Sequence, residues 1–430
     1  MHDIGIIGAG VTGLTAAYDL LKQGQRVTLY EARDYVGGLA AGFKDEAAGW
    51  AWSLDHFYHH IFASDKEIIR LVKELGMGDT LFFPRPTTSI YYQGGIYPLD
   101  SPLRVLRFQP LPFIDRVRFG AVAAFIRYTP VWRPFERATA HEWLTRALGE
   151  RAYEILWQPL LEGKFGPYYK EVNMAWFWAR LAKRTPRLGY FVGGFQAFLE
   201  GLAHHVRELG GEIRLAHHVR GIHPTPEGRV RLELRAGDQT HDRVLATCSP
   251  QMLKARAPAL PAAYTADLDA LDSMGAVVLI LALKQPVTDR HYWINIPKRE
   301  GFPFLAFVEH TNYVDAAHYG GETLVYCGDY LTPEHPYFKM DKDALLEKFI
   351  PGIQRINPAF RRDWIRRTWK FTESYAQPVP RVNHSERIPK LKTPLPNLWM
   401  ANMSQVYPWD RGTNYAVELG RRAARAVGRS

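Results

Sequence analysis

The sequence predicts an α/β chain: a discontinuous parallel sheet covered by helices, a second domain with a mixed sheet, and a helical insertion. Three observations carry this. A strand, a glycine-rich turn, a helix and a second strand open the chain. Strand and helix signals of the same kind return in its middle and at its end. Between them, residues 102–183 read as helical and rich in aromatic side chains.

Residues 3–7 (DIGII) form a short apolar run bounded by glycine, the mark of a buried strand. A helix follows over 11–22, with Leu14, Ala17, Tyr18 and Leu21 at helical spacing, and Gly24 closes it. Residues 26–31 give the next strand. Parallel strands joined by a helix imply a sheet covered on both faces. A helix over 65–75 and a hairpin over 89–97, turning at Gly94-Gly95, come next. Past Gly193-Gly194 the pattern predicts a helix over 195–209 and strands over 213–219, 230–235 and 243–247. Apolar runs at 276–283 and 323–330 are further strands. A strand over 398–402 leads into a last helix over 413–427. This order assigns 1–75, 190–260 and 388–430 to one domain, 76–101 and 265–387 to a substrate domain, and 102–189 to the insertion.

Composition narrows the function. Two cysteines, Cys248 and Cys327, exclude a disulfide framework and a Cys-rich zinc site; no metal is expected, and a reducing, cytoplasmic setting fits. The net charge of +10 suits nucleic acid, anionic lipid, an anionic substrate or simply a solvated basic surface. No run of Lys and Arg and no nucleic-acid motif is found, so no nucleic-acid partner is expected. The longest apolar run, 274–283, falls far short of the ~20 residues that a membrane span needs. The apolar stretch 4–21 reads as folded structure rather than a leader, because glycines interrupt it and no basic region precedes it. Residues 103–133 interleave Arg104, Arg107, Arg116, Arg118, Arg127 and Arg133 with Phe108, Phe113, Phe119, Phe125 and Trp132. Such a stretch suits either peripheral contact with a membrane or a helical lid packed on the protein.

Gly8-Ala9-Gly10-Val11-Thr12-Gly13 has the spacing of a dinucleotide cradle, with a strand before it and a helix after it. Gly8 permits the tight turn, Gly10 lets backbone approach a pyrophosphate, and Gly13 lets helix pack on strand. The free N–H groups from Val11 and Thr12 onward face the phosphates. Glu31 ends the second strand, about twenty residues on, where its carboxylate can accept the ribose hydroxyls. These features alone do not separate FAD from NAD.

The run Glu31-Ala32-Arg33-Asp34-Tyr35-Val36-Gly37-Gly38 resembles the E-A-R-x-x-x-G-G signature of the flavin amine oxidase and protoporphyrinogen oxidase superfamily, which includes phytoene desaturases. The resemblance implies non-covalent FAD, with Ala32 and Arg33 at its adenosine end and Gly37, Gly38 and Leu39 near pyrophosphate and flavin. Further segments match in order. Tyr190 to Phe195 is similar to the family's Y-x-x-G-G segment, Val219 falls where backbone holds adenine, and 244–250 resembles the V-x-A-x-P strand end. Residues 398–420 resemble the C-terminal flavin segment, with Asn402 where an acid is usual. There Arg411, Thr413, Asn414 and Ala416 would lie at a helix start that points at the flavin. The sequence departs from the family at Leu39, where arginine is common. It also departs at Leu279, where amine oxidases carry a lysine, and this counts against amine oxidation.

The same resemblance carries the chain past the flavin at Asp55-His56-Phe57-Tyr58-His59-His60. It places His56 beside the cofactor and makes His59 and His60 candidates for chemistry, since imidazole titrates near neutral pH. Tyr375, Tyr407 and Trp409 are candidates to wall the substrate site, or ordinary core residues. Arg411 would stabilise reduced flavin, bind an anionic substrate, or pair with Asp410 or Glu418. Lys164 reads as structural. A shorter match, 59–67, is similar to a histidine segment of UDP-galactopyranose mutase. The expected reaction is hydride removal from a C–N or C–C bond of an apolar small-molecule substrate to flavin N5, with oxygen, a quinone or another acceptor completing the cycle. The alternatives are a mutase-like isomerase that uses reduced FAD and a non-catalytic flavin-binding protein.

Overall fold

The computed structural model describes residues 1–429. One sheet is parallel and five-stranded, in the order Glu212–Arg214, Arg26–Tyr30, Asp3–Ile7, Arg243–Ala246, Leu398–Met400. Its strands therefore come from the start, the middle and the end of the chain, as the order of the sequence signals predicts. The central strand is flanked on both sides, so Ile4 and Ile6 are wholly buried. The helices Val11–Lys22 and Thr413–Arg429 pack against one another. Gly420 makes this approach feasible, because a Cβ there would lie 2.7 Å from the Thr12 carbonyl oxygen.

A second, seven-stranded sheet is mixed. It runs Ile365–Pro378, Ser273–Leu283, Thr323–Leu331, Ala306–Glu309, His291–Asn295, Thr87–Tyr92, Gly95–Pro98. Only the pair His291–Asn295 and Thr87–Tyr92 is parallel. The apolar run at 274–283 has a clear cause in this sheet. Val278, Ile280 and Ala282 face one core, and Val277, Leu279, Leu281 and Leu283 face another on the opposite side. Alternate residues of a strand point to opposite faces, so a strand with a core on each face must be apolar throughout. Leu279 thus lies among Phe349 and Ile353.

Residues 102–182 form helices with a core of their own, which includes Phe119, Ile126, Leu144, Phe165 and Phe177. In the helix Phe113–Tyr128 only Phe119 and Ile126 are buried. Its other face leaves Phe113, Ile114, Val117, Phe125 and Tyr128 exposed, beside the exposed Leu103, Leu106 and Val131.

Two expectations need correction. The strand predicted over 213–219 is two elements, Glu212–Arg214 in the parallel sheet and Val219–Pro224 in a separate antiparallel sheet. The break falls at Ala216, which has φ 57°, and the N–H groups of Ala216 and His217 donate to the carbonyls of Arg33 and Glu31. The strand predicted over 398–402 ends at Met400, because Asn402 and Gln405 form a capping box that starts a new turn. The longest strand, Ile365–Pro378, was not anticipated: its sequence, IRRTWKFTESYAQP, lies at the sheet edge and mixes charge with aromatics.

Candidate active site

The site begins at the first turn. Gly8 has φ 102°, and a Cβ on Gly13 would lie 2.0 Å from the Gly8 carbonyl oxygen, so strand and helix touch as only glycine permits. A Cβ on Gly10 would meet nothing nearer than 3.8 Å, which leaves the space before the helix open. Val11 and Thr12 begin that helix, and no side chain caps it. Its first N–H groups are therefore available to an anion. The second glycine pair comes alongside: Gly37 N–H donates to the Ala9 carbonyl at 2.9 Å, and Gly10 and Gly37 form a parallel bridge. Leu39 lies in the short turn after them. The Glu31 carboxylate accepts from the N–H groups of Ala9 (2.8 Å) and Arg33 (3.0 Å), which fixes it at the mouth of the same turn. Ala32 is exposed, and the Arg33 guanidinium reaches outward to Tyr35 and Glu373. Val219 is buried at the start of its strand.

The terminal helix begins at Thr413, and Thr413 and Asn414 are buried. Ala416 lies in the first turn, its N–H donating to the Gly412 carbonyl. The Asn414 side chain faces elsewhere, accepting from the N–H groups of Glu67 and Ile68 at the start of the helix Lys66–Glu74. Asn402 and Tyr375 are bound to each other. The Tyr375 hydroxyl lies 3.1 Å from Asn402 Oδ1 and accepts from the Ser404 N–H at 2.9 Å, and Asn402 Nδ2 donates to the Cys248 carbonyl. Both are saturated within the protein. Tyr407 accepts from Asn173, and Trp409 stacks on Tyr415.

His56, His59 and His60 follow the second glycine pair. His56 stacks on Phe371 at 4.1 Å, and burial drops its pKa to about 4. His59 and His60 keep some accessible surface, yet desolvation lowers His59 to about 4 and His60 to about 3. We call the partly accessible surface around these deep-set rings the histidine recess. The Nδ1 atoms of both rings have no partner. At neutral pH each ring is uncharged with a free lone pair or N–H. Tyr58 shares this recess, edge-on to Trp293 at 4.7 Å.

Beside the histidines, Lys164, Asp410 and Arg411 converge with Arg180, Trp176 and Gln377 in a charged cluster that the sequence did not show as a unit. Asp410 accepts from Arg180 Nη1 (3.0 Å), Lys164 Nζ (3.3 Å) and Trp176 Nε1 (3.0 Å). Lys164 also donates to Gln377 at 3.0 Å, so it joins the strand Ile365–Pro378 to the loop that carries Asp410. The Arg411 guanidinium binds Gln377 Oε1 (3.1 Å) and the Tyr330 hydroxyl, and it is not paired to Asp410 or Glu418 through its side chain. Burial lowers Lys164 to about 7, whereas the neighbouring cations hold Asp410 far below the usual carboxylate range despite its burial. Arg180 lies on the helix Met174–Ala182 and Arg184 two residues past its end, so no helical spacing announced the pair in the sequence. Among the described residues no group of side chains is placed to hold a metal ion, and no helix is long and apolar enough to cross a membrane.

These residues fit a flavin dinucleotide. They provide an uncapped helix start behind an open glycine turn, a carboxylate at its mouth, and a recess with orphaned ring nitrogens.

Comparison with known proteins agrees. The sequence model described as flavin containing amine oxidoreductase matches residues 11–428. A candidate zeta-carotene desaturase of Synechococcus elongatus is 21% identical, over 99% of this chain and 98% of its own length. The maize zeta-carotene desaturase is 31% identical over 30% of this chain, a segment that spans only 24% of that enzyme. In fold, a candidate protoporphyrinogen oxidase from Exiguobacterium sp. 255-15 superposes with TM-score 0.79 at 17% identity, covering 99% of this chain and 98% of its own. Reduced UDP-galactopyranose mutase follows with TM-score 0.75 at 17% identity, covering 99% and 95%. The chain belongs to the flavin containing amine oxidoreductase family and is an FAD-dependent oxidoreductase.

Proposed function

We propose that the protein removes a hydride from a C–N or C–C bond of a substrate with an apolar body. Bound FAD supplies the acceptor at its N5 position, and oxygen, a quinone or another oxidant takes the electrons onward. The observation that carries this reading is the recess itself. His59 and His60 stand neutral with unpaired nitrogens, walled by Tyr58 and Trp293. As hydride leaves one carbon for N5, the adjacent carbon or nitrogen must lose a proton to complete the double bond, and a neutral imidazole can accept that proton. The start of the terminal helix, with Thr413 and Asn414, favours negative charge at the cofactor edge it faces. Gly8 to Gly13, Glu31 and Gly37-Gly38 would hold pyrophosphate and ribose. The face of the strand Ser273–Leu283 that shares a core with Tyr58 and Trp293 carries Val278, Ile280 and Ala282 and no lysine, which argues against amine substrates.

In this reading 1–75, 190–260 and 388–430 form the FAD domain, 76–101 and 265–387 bind substrate, and 102–189 is the insertion. The exposed side of that insertion, with Phe113, Ile114, Phe125 and Tyr128 beside several arginines, supports peripheral contact with a membrane surface.

The test is direct. Purified protein should be yellow, and acid precipitation should release FAD into the supernatant. Anaerobic mixing with a polyene precursor should bleach the flavin. A protein that stays colourless after reconstitution with FAD would refute the proposal. A mutase-like isomerisation is a second reading, favoured by the cationic wall. Turnover of UDP-galactopyranose only after dithionite reduction would select it.

A further inference from the structure

Four cations converge beside the histidine recess, and one carboxylate answers them. Asp410 holds Lys164 and Arg180, and its contacts with Trp176, Gln377 and the Arg411 N–H use up its remaining lone pairs. Arg411 spends its guanidinium on neutral partners, Gln377 and Tyr330. Arg184 makes no side-chain hydrogen bond or ion pair among the described residues. The acid whose charge acts on it, Asp100, is already paired to Arg104 at 2.8 Å. The Arg180 Nε is buried without a partner, and His60, whose Nδ1 is unpaired, lies within the field of Arg184, Arg180 and Lys164.

Buried charges are normally neutralised in place, because an uncompensated one is costly to desolvate. Here Lys164, Arg180 and Asp410 are mostly buried, with side chains 13%, 23% and 18% exposed. Arg184 is partly accessible, yet desolvation and Arg180 pull it down to about 10. The cofactor's own pyrophosphate does not explain the surplus, since no contact of these five side chains involves residues 8–38, where the glycine turns lie.

We infer that Arg180, Arg184, Lys164 and Arg411 form a subsite for a phosphoryl group carried by the substrate, next to its reacting carbon. A carboxylate brings one negative charge, whereas the surplus here exceeds one, and guanidinium forks match phosphate oxygens. The inference rests on the flavin reading of the recess and deepens it: the substrate is amphiphilic or nucleotide-linked rather than wholly apolar.

The test uses FAD-loaded protein. Inorganic pyrophosphate, UDP and farnesyl diphosphate are each titrated while the flavin absorbance and the heat of binding are followed, with succinate as the carboxylate comparison. Pyrophosphate should perturb the flavin spectrum and bind more tightly than succinate. Tighter binding of UDP would mark a nucleotide substrate, and tighter binding of farnesyl diphosphate a prenyl one. Arg184→Gln should raise the pyrophosphate Kd about ten- to a hundredfold, as expected for a charge-assisted contact, with FAD content unchanged. Arg184→Lys should recover part of the loss, and Lys348→Gln, on an exposed helix face, should change nothing. Yellow protein that binds none of the three phosphates, binds succinate equally well, or is indifferent to Arg184→Gln overturns the inference. Loss of FAD from Arg184→Gln would assign the arginine to the cofactor and overturn it too. Wild-type protein that takes up no FAD would instead sink the underlying flavin reading.

Discussion

Replacing Asp410 with asparagine keeps shape and removes charge, so it isolates the electrostatics of the cationic wall. Asp410 meets Arg180 at 3.0 Å and Lys164 at 3.3 Å, and all three side chains are at most 23% exposed. At an effective dielectric of about 20, each attraction is worth about 5 kcal/mol before desolvation is counted. Much of that is offset by the cost of burial, and removing one partner of such a pair costs about 3–5 kcal/mol. Unfolding entropy of roughly 2 cal/mol/K per residue then converts the loss into a Tm drop of about 4 °C for the whole chain. Calorimetry of both proteins at pH 7 measures it. The pH dependence adds a sharper check. The Asp410 pKa is depressed in the folded state, so its own titration adds no pH dependence above the ordinary carboxylate range. Lys164 titrates near 7, so its pair with Asp410 is lost as pH rises from 6 to 9. The deficit of Asp410→Asn should therefore narrow over that window. A variant within 1 °C of wild type at pH 7, or a deficit that ignores pH, would refute the reasoning.

Gly13→Ala forces a Cβ against the Gly8 carbonyl, 2.0 Å away. The helix must retreat, at a cost of about 1–3 kcal/mol, and the flavin-to-protein absorbance ratio should fall. Acid should destabilise the fold from pH 6.5 downward. His56 and His59 are depressed to about 4 and His60 to about 3, so the unfolded chain takes up protons first. At pH 5 each ring contributes at most about 2 kcal/mol to that loss, less where it keeps accessible surface, and urea midpoints across pH 4–7 report it; a flat profile contradicts the neutral assignment. Phe113→Ser with Ile114→Ser, both exposed, should reduce sedimentation with anionic vesicles several-fold and leave Tm within about 1 °C; unchanged sedimentation removes the membrane contact.

The parallel sheet was readable because its signals are local. A glycine turn needs its glycines adjacent, and a buried strand shows as an apolar run wherever it stands. The discontinuity was readable for the same reason, since strand signals recurred after long interruptions. The edge strand Ile365–Pro378 was hidden because an edge carries charge and aromatics on one face and imposes no apolar run. The cationic wall was hidden for a different reason: Lys164, Arg180, Gln377 and Asp410 are brought together only by tertiary packing, from the insertion, the long strand and the loop before the terminal helix. The resemblance pointed at Asn402 and Tyr375 individually, but nothing in their spacing showed that their polar atoms satisfy one another.

The interleaved origin of the five-stranded sheet has a consequence for synthesis. A ribosome delivers Asp3–Ile7 and Arg26–Tyr30 first, Arg243–Ala246 much later, and the flanking Leu398–Met400 nearly last. Until that final segment emerges, one rim of Arg243–Ala246 has no pairing partner, and Thr12 waits for the glycine of the closing helix that will cover it. An unpaired rim recruits neighbouring chains. Nascent chains stalled before the last thirty or so residues should therefore be chaperone clients and unable to retain the dinucleotide, however well their first strands are made.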